Sequence, residues 1–404
     1  RKKNIMVFFK KGELNLLWPF YFEFFFARIL SLMAPFFIIY LTNLGFSLTK
    51  VGIVLATISA TILIFEIPTG AIADVFGRKF SVLLGYALEG ICVLSLYFFT
   101  SYYAILAISS LLGIAMTLSS GAKDAWTTDL IKKENKSLLN DFFANSAMFM
   151  SFSMFFAGLL GAFLVKNFGI SIIFIATSLS FFVSIIVLIP AKEIFKKRKV
   201  HIKKSLSKLI HQSKESIKYS HKNKSLALLL AATGAISAIF VLNGSLSWTP
   251  LLLEHGLKFE YFGYLWSAMG LITLIASYTS KKLLRKNREK EFMLKSLMFF
   301  SIGSISVIFF KSLIPLIIIL MIVIFFQDIQ WPVSRVFFHK LVPNKLRATI
   351  GSIESMIISL AGIMVPPLTG YLIDIAGPSK TIVLAGIVTI IPITLIKKIG
   401  KKKL

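Results

Sequence analysis

Twelve runs of apolar residues follow one another along this chain, each about as long as a lipid bilayer is thick. They cover approximately residues 17–41, 50–69, 80–99, 103–128, 141–165, 170–190, 225–253, 260–279, 294–311, 313–336, 348–375 and 379–396. A helix climbs ~1.5 Å per residue, so about 20 apolar residues cross the hydrocarbon layer once. Backbone N–H and C=O groups have no partners in hydrocarbon, which leaves only helices and closed barrels as spanning structures. The runs do not alternate as barrel strands do, so helices are expected. Composition agrees, since 56% of the 404 residues are hydrophobic, 16% are charged and the mean hydropathy is +0.80, outside the range of soluble domains. The expected fold class is therefore all-α and integral to the membrane, with twelve transmembrane helices.

The basic residues fix the expected topology. Counting Lys and Arg in alternate connections puts 37 on one side of the membrane and 5 on the other, with Arg28, Lys123 and Arg335 left inside spans. Retained cytoplasmic segments carry the positive excess, so both termini are expected in the cytoplasm of a multi-pass protein of the cell (plasma) membrane. The net charge of +27 then answers to anionic lipid headgroups, and nucleic acid is not expected as a partner. The basic start followed by an apolar stretch reads as an uncleaved first span, because the stretch is long and no small-residue cleavage pattern closes it.

One long connection divides the spans six and six. Residues 1–190 are expected to form an N-terminal six-helix bundle, 191–224 a basic cytoplasmic linker and 225–404 a C-terminal six-helix bundle. Within the linker Ile202, Leu206, Leu209, Ile210 and Ile217 fall near helical spacing, as in an amphipathic helix on the inner membrane surface or, on the simpler alternative, a solvated basic strip. His201, His211 and His221 lie ten residues apart and share no metal-binding face. The single cysteine, Cys92, excludes an intrachain disulfide. Neither a metal nor a cofactor is expected. The halves resemble each other weakly: a Gly161 to Gly169 ending in span five faces a Gly370 to Gly377 ending in span eleven, each preceded by a basic loop, as in parallel six-helix repeats.

Between spans two and three the chain reads Gly70-Ala-Ile-Ala-Asp74-Val-Phe-Gly77-Arg78-Lys79. This resembles the signature loop of the major facilitator superfamily, and the six-plus-six organisation extends that resemblance over nearly the whole chain. The resemblance implies two pseudo-symmetric six-helix bundles and a secondary active transporter that works by alternating access. It also implies a cytoplasmic gating loop of Gly70, Asp74, Gly77, Arg78 and Lys79, with Asp74 near the start of span eleven and Arg78 within reach of Glu354. Glycines permit a tight turn, and a carboxylate gains at a helix N-terminus. The chain departs from the family pattern at Val75, where many members carry a basic residue, and in the segment Lys281 to Lys295, which lacks the glycine and aspartate. Thr117 stands where an arginine precedes a span-four glycine, here Gly121. The span-five antiporter pattern is reduced to Ala157-Gly158, although Pro366, Pro367 and Gly370 supply something similar in span eleven.

Charged groups at bilayer depth cost about 2.5–3.5 kcal/mol on insertion scales, so each implies pairing or transport. Counting residues places Arg28, Glu89 and Asp328 near the midplane, with Glu23, Glu66, Asp124 and Arg335 towards the cytoplasm. Asp328, Trp331 and Arg335 share a face of span ten, with Gln327 and Gln330 beside them. The resemblance assigns spans one, four, seven and ten to the central cavity, which would gather this face, Arg28, Asn243 and Trp248 around a substrate. Asp328 is the first candidate for carrying a coupled proton, with Glu23 and Glu89 as alternates; an ion pair of Asp328 with Arg335 or Lys311 is the structural alternative. Arg28 and Glu89 are either a buried pair or cavity residues, and Lys123, Asp124 and Asp129 read as an interfacial charge network.

The function expected from this is proton-coupled efflux of a small-molecule substrate by a monomeric antiporter. Proton-coupled uptake of a sugar, organic acid or amino acid is the alternative within the class. A membrane-embedded transferase enzyme is a remote alternative, since such enzymes cluster carboxylates for a metal-diphosphate substrate and the acidic residues here are scattered; catalysis is not expected.

Overall fold

The computed structural model describes residues 9–10, 12–194, 223–284, 288–342 and 347–400, with backbone alone for 347–349. The proposed amphipathic stretch and all three linker histidines lie outside the described residues. Within them the secondary structure is helical and contains no strand. Ten helices are long and apolar enough to cross a membrane, and two shorter apolar helices, Met33–Asn43 and Ile172–Leu188, lie where the first and sixth spans were expected.

The long helices extend past their apolar runs. Span two is α3, Leu48–Phe76, and span three is α4, Arg78–Phe98. The stretch expected as a gating loop is thus almost wholly helical: Gly70 and Asp74 ride on α3, Arg78 and Lys79 open α4, and Gly77 alone makes the turn. Nothing between Gly70 and Phe76 breaks a helix, whereas Gly77 takes φ 105°, a conformation that favours glycine. Spans four, five and six are α5, Tyr102–Glu134, α6, Leu139–Phe168, and α7, Ile172–Leu188.

Span one is broken, into α1, Glu13–Phe22, a π-helical turn over Glu23–Ala27, and α2, Met33–Asn43. Backbone groups freed by the break find partners in neighbouring helices. The Ser153 hydroxyl donates to the Phe24 carbonyl (2.5 Å), and the Thr177 hydroxyl accepts the N–H groups of Leu32 (2.9 Å) and Met33 (3.1 Å). Span seven is broken too, into α8, Lys224–Leu242, and α9, Ser245–Glu254. Spans eight to eleven are α10, Phe262–Leu284, α11, Glu289–Ser306, α12, Leu313–Leu341, and α13, Arg347–Ala376. The last span comprises α14, Pro378–Val388, and α15, Ile390–Lys398.

The chain forms two compact units. One takes the chain up to Pro35 and from Ile64 through the sixth span; the other takes Phe36–Leu63 and the seventh span onward. In the first, Trp126 and Phe142 close on Phe20 with edge-on rings 5.0 and 6.3 Å away. In the second, Leu230, Ala276, Leu297, Val333, Ile350 and Ile396 form part of one buried cluster.

Small residues set the closest helix approaches. A Cβ added at Gly85 of α4 would lie 2.9 Å from the Ser119 backbone nitrogen of α5, whereas one at Gly121 would meet nothing within 4 Å. Gly85→Val is therefore expected to lower the melting temperature in detergent, by the ~1–3 kcal/mol typical of overpacking. Gly121→Ala is expected to match or exceed the parent. Equal melting of the two variants would refute the close crossing of α4 and α5.

Candidate functional site

The first unit encloses a charged network at bilayer depth. Glu23 is wholly buried on the π-helical turn. Its carboxylate is paired with the Lys123 ammonium of α5, accepts the Tyr86 hydroxyl of α4 at 3.0 Å and lies 3.5 Å from Arg28 Nε. Lys123 Nζ also donates to the Tyr86 oxygen (3.2 Å) and stands 4.0 Å over the Phe24 ring. Tyr86 is thus donor and acceptor at once, between an acid and a base. Nearby, the buried Glu89 accepts the Ser119 hydroxyl at 2.5 Å. Glu23 is thus opposed by two cations, whereas Glu89 has no ion-pair partner among the described residues.

Local geometry explains who meets whom. Residues five apart on an α-helix diverge by about 140°, but a π turn bonds i to i+5 and draws Arg28 back over Glu23. Tyr86 and Glu89 are three apart on α4, Ser119 and Lys123 four apart on α5, and each pair shares a face. Of the two readings of Arg28 and Glu89, the buried pair is not formed: Arg28 meets Glu23 and Glu89 meets Ser119. Lys123, expected in an interfacial charge network, is instead a buried member of this one. Tyr86 and Ser119 were not anticipated, although their helical spacing from Glu89 and Lys123 was visible.

The second unit holds Asp328 on α12. Its carboxylate accepts the Thr273 hydroxyl of α10 at 2.6 Å. Arg335 is engaged elsewhere, with Glu354 of α13 at 2.9 Å and the Trp331 ring at 5.1 Å. The shared face therefore splits: Trp331 and Arg335 stay together and Asp328 turns to α10. Gln327 is half-buried. Gln330, buried, accepts the Ser296 hydroxyl at 2.6 Å, while its side-chain nitrogen is buried without a partner. Asn243 and Trp248, expected to line a cavity, are only 2% and 4% exposed. The Trp248 indole donates to Asn243 (2.6 Å), which donates to Ser304 (2.7 Å), so these side chains brace the break in span seven.

The signature region is knitted into the first unit. Arg78 is paired with Asp129 and donates to the Ala125 carbonyl (2.6 Å). Lys79 Nζ donates to the carbonyls of Ile189 (2.5 Å) and Ala191 (3.0 Å), capping the C-terminal end of α7. The Lys79 N–H donates in return to Glu193 (2.9 Å), whose carboxylate sits at the N-terminus of α4. A cation at one helix end and an anion at the other complement both dipoles. Glu193 lay in a basic linker and gave no sequence signal. Gly70 is exposed and Asp74 half-buried on α3.

The family model of the Major Facilitator Superfamily matches residues 20–324. The chain belongs to that superfamily. A Bacillus subtilis (strain 168) protein described as the uncharacterised MFS-type transporter YxaM is 24% identical over 392 residues, covering 93% of each chain. Among solved structures, a point variant of the nucleoside transporter NupG superposes with a TM-score of 0.79 at 12% identity, over 95% of this chain and all of that one. A POT family transporter in complex with 5-aminolevulinic acid gives a TM-score of 0.73 at 15% identity, over 95% of this chain and 96% of that one. The fold is the major facilitator fold, and the protein is a membrane transporter of that type.

Removing one partner of a buried ion pair typically costs about 3–5 kcal/mol, because the other charge is stranded. Glu23→Gln and Lys123→Met should each lower thermal stability strongly, and the double variant should lose much less than the sum. Strictly additive losses in that double-mutant cycle would show that the two groups do not interact.

Proposed function

We propose that this protein is a proton-coupled secondary transporter of a small organic molecule, with efflux as its direction. It works as a monomer in the cell membrane through two six-helix halves, residues 1–190 and 225–404, joined by the linker 191–224. One observation carries the coupling: each unit holds a membrane-embedded carboxylate, Glu89 or Asp328, bound by a single hydroxyl and with no described Lys or Arg nitrogen within 4.0 Å. A carboxylate at that depth without a paired cation is economical when it gains and loses a proton as its access to water alternates. Asp328 is the principal proton carrier and Glu89 the second. The Glu23–Lys123–Arg28 network stays charged and sets the local field. The Asp74 signature serves as the gate on the cytoplasmic face.

Uptake of an organic acid or amino acid is the second reading. It is favoured by Arg28, a partly exposed cation beside the break in span one whose guanidinium could pair with a carboxylate. In either direction only a ligand with different affinities for the two states drives alternation.

Asp328→Asn mimics the protonated side chain permanently. In proteoliposomes the variant should bind substrate and exchange it down a gradient, yet fail to drive it against one when a proton gradient is imposed. Candidate substrates come from a thermal-shift panel of amphipathic cations, sugars and organic acids, since a ligand of the folded state raises its melting temperature. Undiminished proton-driven accumulation or expulsion in a well-folded Asp328→Asn variant would reassign the coupling to Glu89.

The topology has its own test. A reporter active only outside the cytoplasm, fused after Leu404, should stay silent and become active when fused in the turn at Gly45. A strong signal at the C-terminus would refute the cytoplasmic assignment of the termini.

A further inference from the structure

The signature at the end of span two occurs twice. Thr69-Gly70-Ala-Ile-Ala-Asp74-Val-Phe-Gly77 is matched by Thr369-Gly370-Tyr-Leu-Ile-Asp374-Ile-Ala-Gly377 near the end of span eleven, with Thr, Gly, Asp and Gly in one register. The likeness reaches the backbone. Thr69 and Thr369 each return a 2.8 Å hydrogen bond to the carbonyl four residues earlier. Gly77 at φ 105° and Gly377 at φ 86° each cap the following helix.

The second copy has a visible partner. The Asp374 carboxylate accepts the N–H groups of Leu48 (3.0 Å) and Thr49 (2.9 Å) and the Thr49 hydroxyl (2.6 Å). Leu48 and Thr49 open α3, so an anion satisfies N–H groups that have no partner within the helix, at its positive end. Deeper in, the two helices touch through their backbones. A Cβ at Gly370 would lie 2.0 Å from the Leu48 oxygen, and one at Gly52 would lie 2.2 Å from the Pro366 oxygen. All these residues belong to one compact unit, the one that takes the first half of span two together with the later spans. Asp374 grips the start of α3, while Asp74 rides near the end of the same helix. Asp374 thus meets the start of α3 and the Gly70–Lys79 signature lies at its end, and on the proposed topology those ends are at opposite faces of the membrane.

We infer that Asp374 is the latch of the non-cytoplasmic face: its carboxylate holds the start of span two against the end of span eleven, and opening the substrate path to that face breaks these bonds. The inference rests on the transport reading, in which the N-terminal half carrying span two moves against the C-terminal half carrying span eleven. Gly52 and Gly370 allow the contact, and Asp374 supplies the directional, charge-assisted bonds that favour it.

The test uses the full chain with Cys92→Ser and spin labels at Asn43 and Lys380, both exposed and close in sequence to the latch. Pulsed electron resonance reads the distance distribution, and melting confirms folding. The parent should show mainly one short distance. Asp374→Ala should raise the ratio of long to short distances about tenfold, equivalent to about 1.4 kcal/mol. Asp374→Asn should do so less, because its amide oxygen still accepts an N–H, and Thr49→Val should lose only the hydroxyl's share. Gly370→Leu should push the same way without touching the carboxylate. If Asp374→Ala keeps the parent distribution while Gly370→Leu broadens it, the helices separate but Asp374 does not latch them, and the inference falls. A single unchanged distance in every variant, Gly370→Leu included, would overturn the alternating movement as well. Should Asp374→Ala fail to fold, Asp374→Asn and Thr49→Val decide: unchanged distributions in both would reject the latch.

Discussion

Hydrocarbon offers no hydrogen bonds, and that constraint governs where this chain places its polar groups. A helix satisfies its own backbone, so any departure from helix inside the membrane requires an outside partner. Span one departs twice, at the π-helical turn and before Met33, and each site is met by a hydroxyl from another helix, Ser153 or Thr177. Span seven departs at Asn243 and Gly244, where Asn243, Trp248 and Ser304 form a short chain of side-chain bonds. The breaks are held in place by specific bonds, which is why they can position side chains such as Glu23.

The same constraint explains the charged network. Glu23, Glu89 and Lys123 are buried among spans one, three and four, with Arg28 partly exposed beside them, and an isolated charge there would cost several kcal/mol. Glu23 answers with two cations and a hydroxyl; Lys123 adds an aromatic face to its ion pair. Glu89 stands apart because one hydroxyl is its direct partner. Asp328 repeats that arrangement in the other unit with Thr273. A group fully satisfied as an ion has little reason to change protonation, whereas a carboxylate held by one hydroxyl does. That contrast separates structural charges from coupling candidates better than depth alone.

Much of the fold was legible in the sequence, because the length and apolarity of a span are properties of a single segment read against a fixed slab. The signature from Gly70 to Lys79 was equally legible as a motif. Its helical conformation was less so, since only Gly77 demands a turn. Partner choice was the least legible. Arg28 and Glu89 sit at similar depth, and the sequence left a buried pair and two cavity residues equally open; a π turn brings Arg28 to Glu23 instead, and no residue pattern announces a π turn. Lys123 was visible as a lone cation in an apolar run, yet its depth depended on where α5 ends, and that helix runs on to Glu134 well past its apolar segment. Asn243 and Trp248 were placed by span number alone, which says nothing of the side a residue faces once its helix is broken.

Repetition of the Thr-Gly-Asp-Gly signature adds an energetic requirement. A transporter must visit both faces, so neither closed end can greatly outweigh the other: a bias of about 5.5 kcal/mol separates a 1:99 population from a 99:1 one. A carboxylate receiving two backbone N–H groups and a hydroxyl is a strong fastening, and a single one would bias the protein towards one face. On the proposed cycle, a second copy of the signature at the far end of span two would offset that bias. The difference between the two closed states would then be small enough for a ligand with different affinities for them to decide. On this view span two is a lever with an aspartate associated with each end, and the proposed coupling carboxylates, Glu89 and Asp328, would need to shift the balance by only a few kcal/mol to turn it.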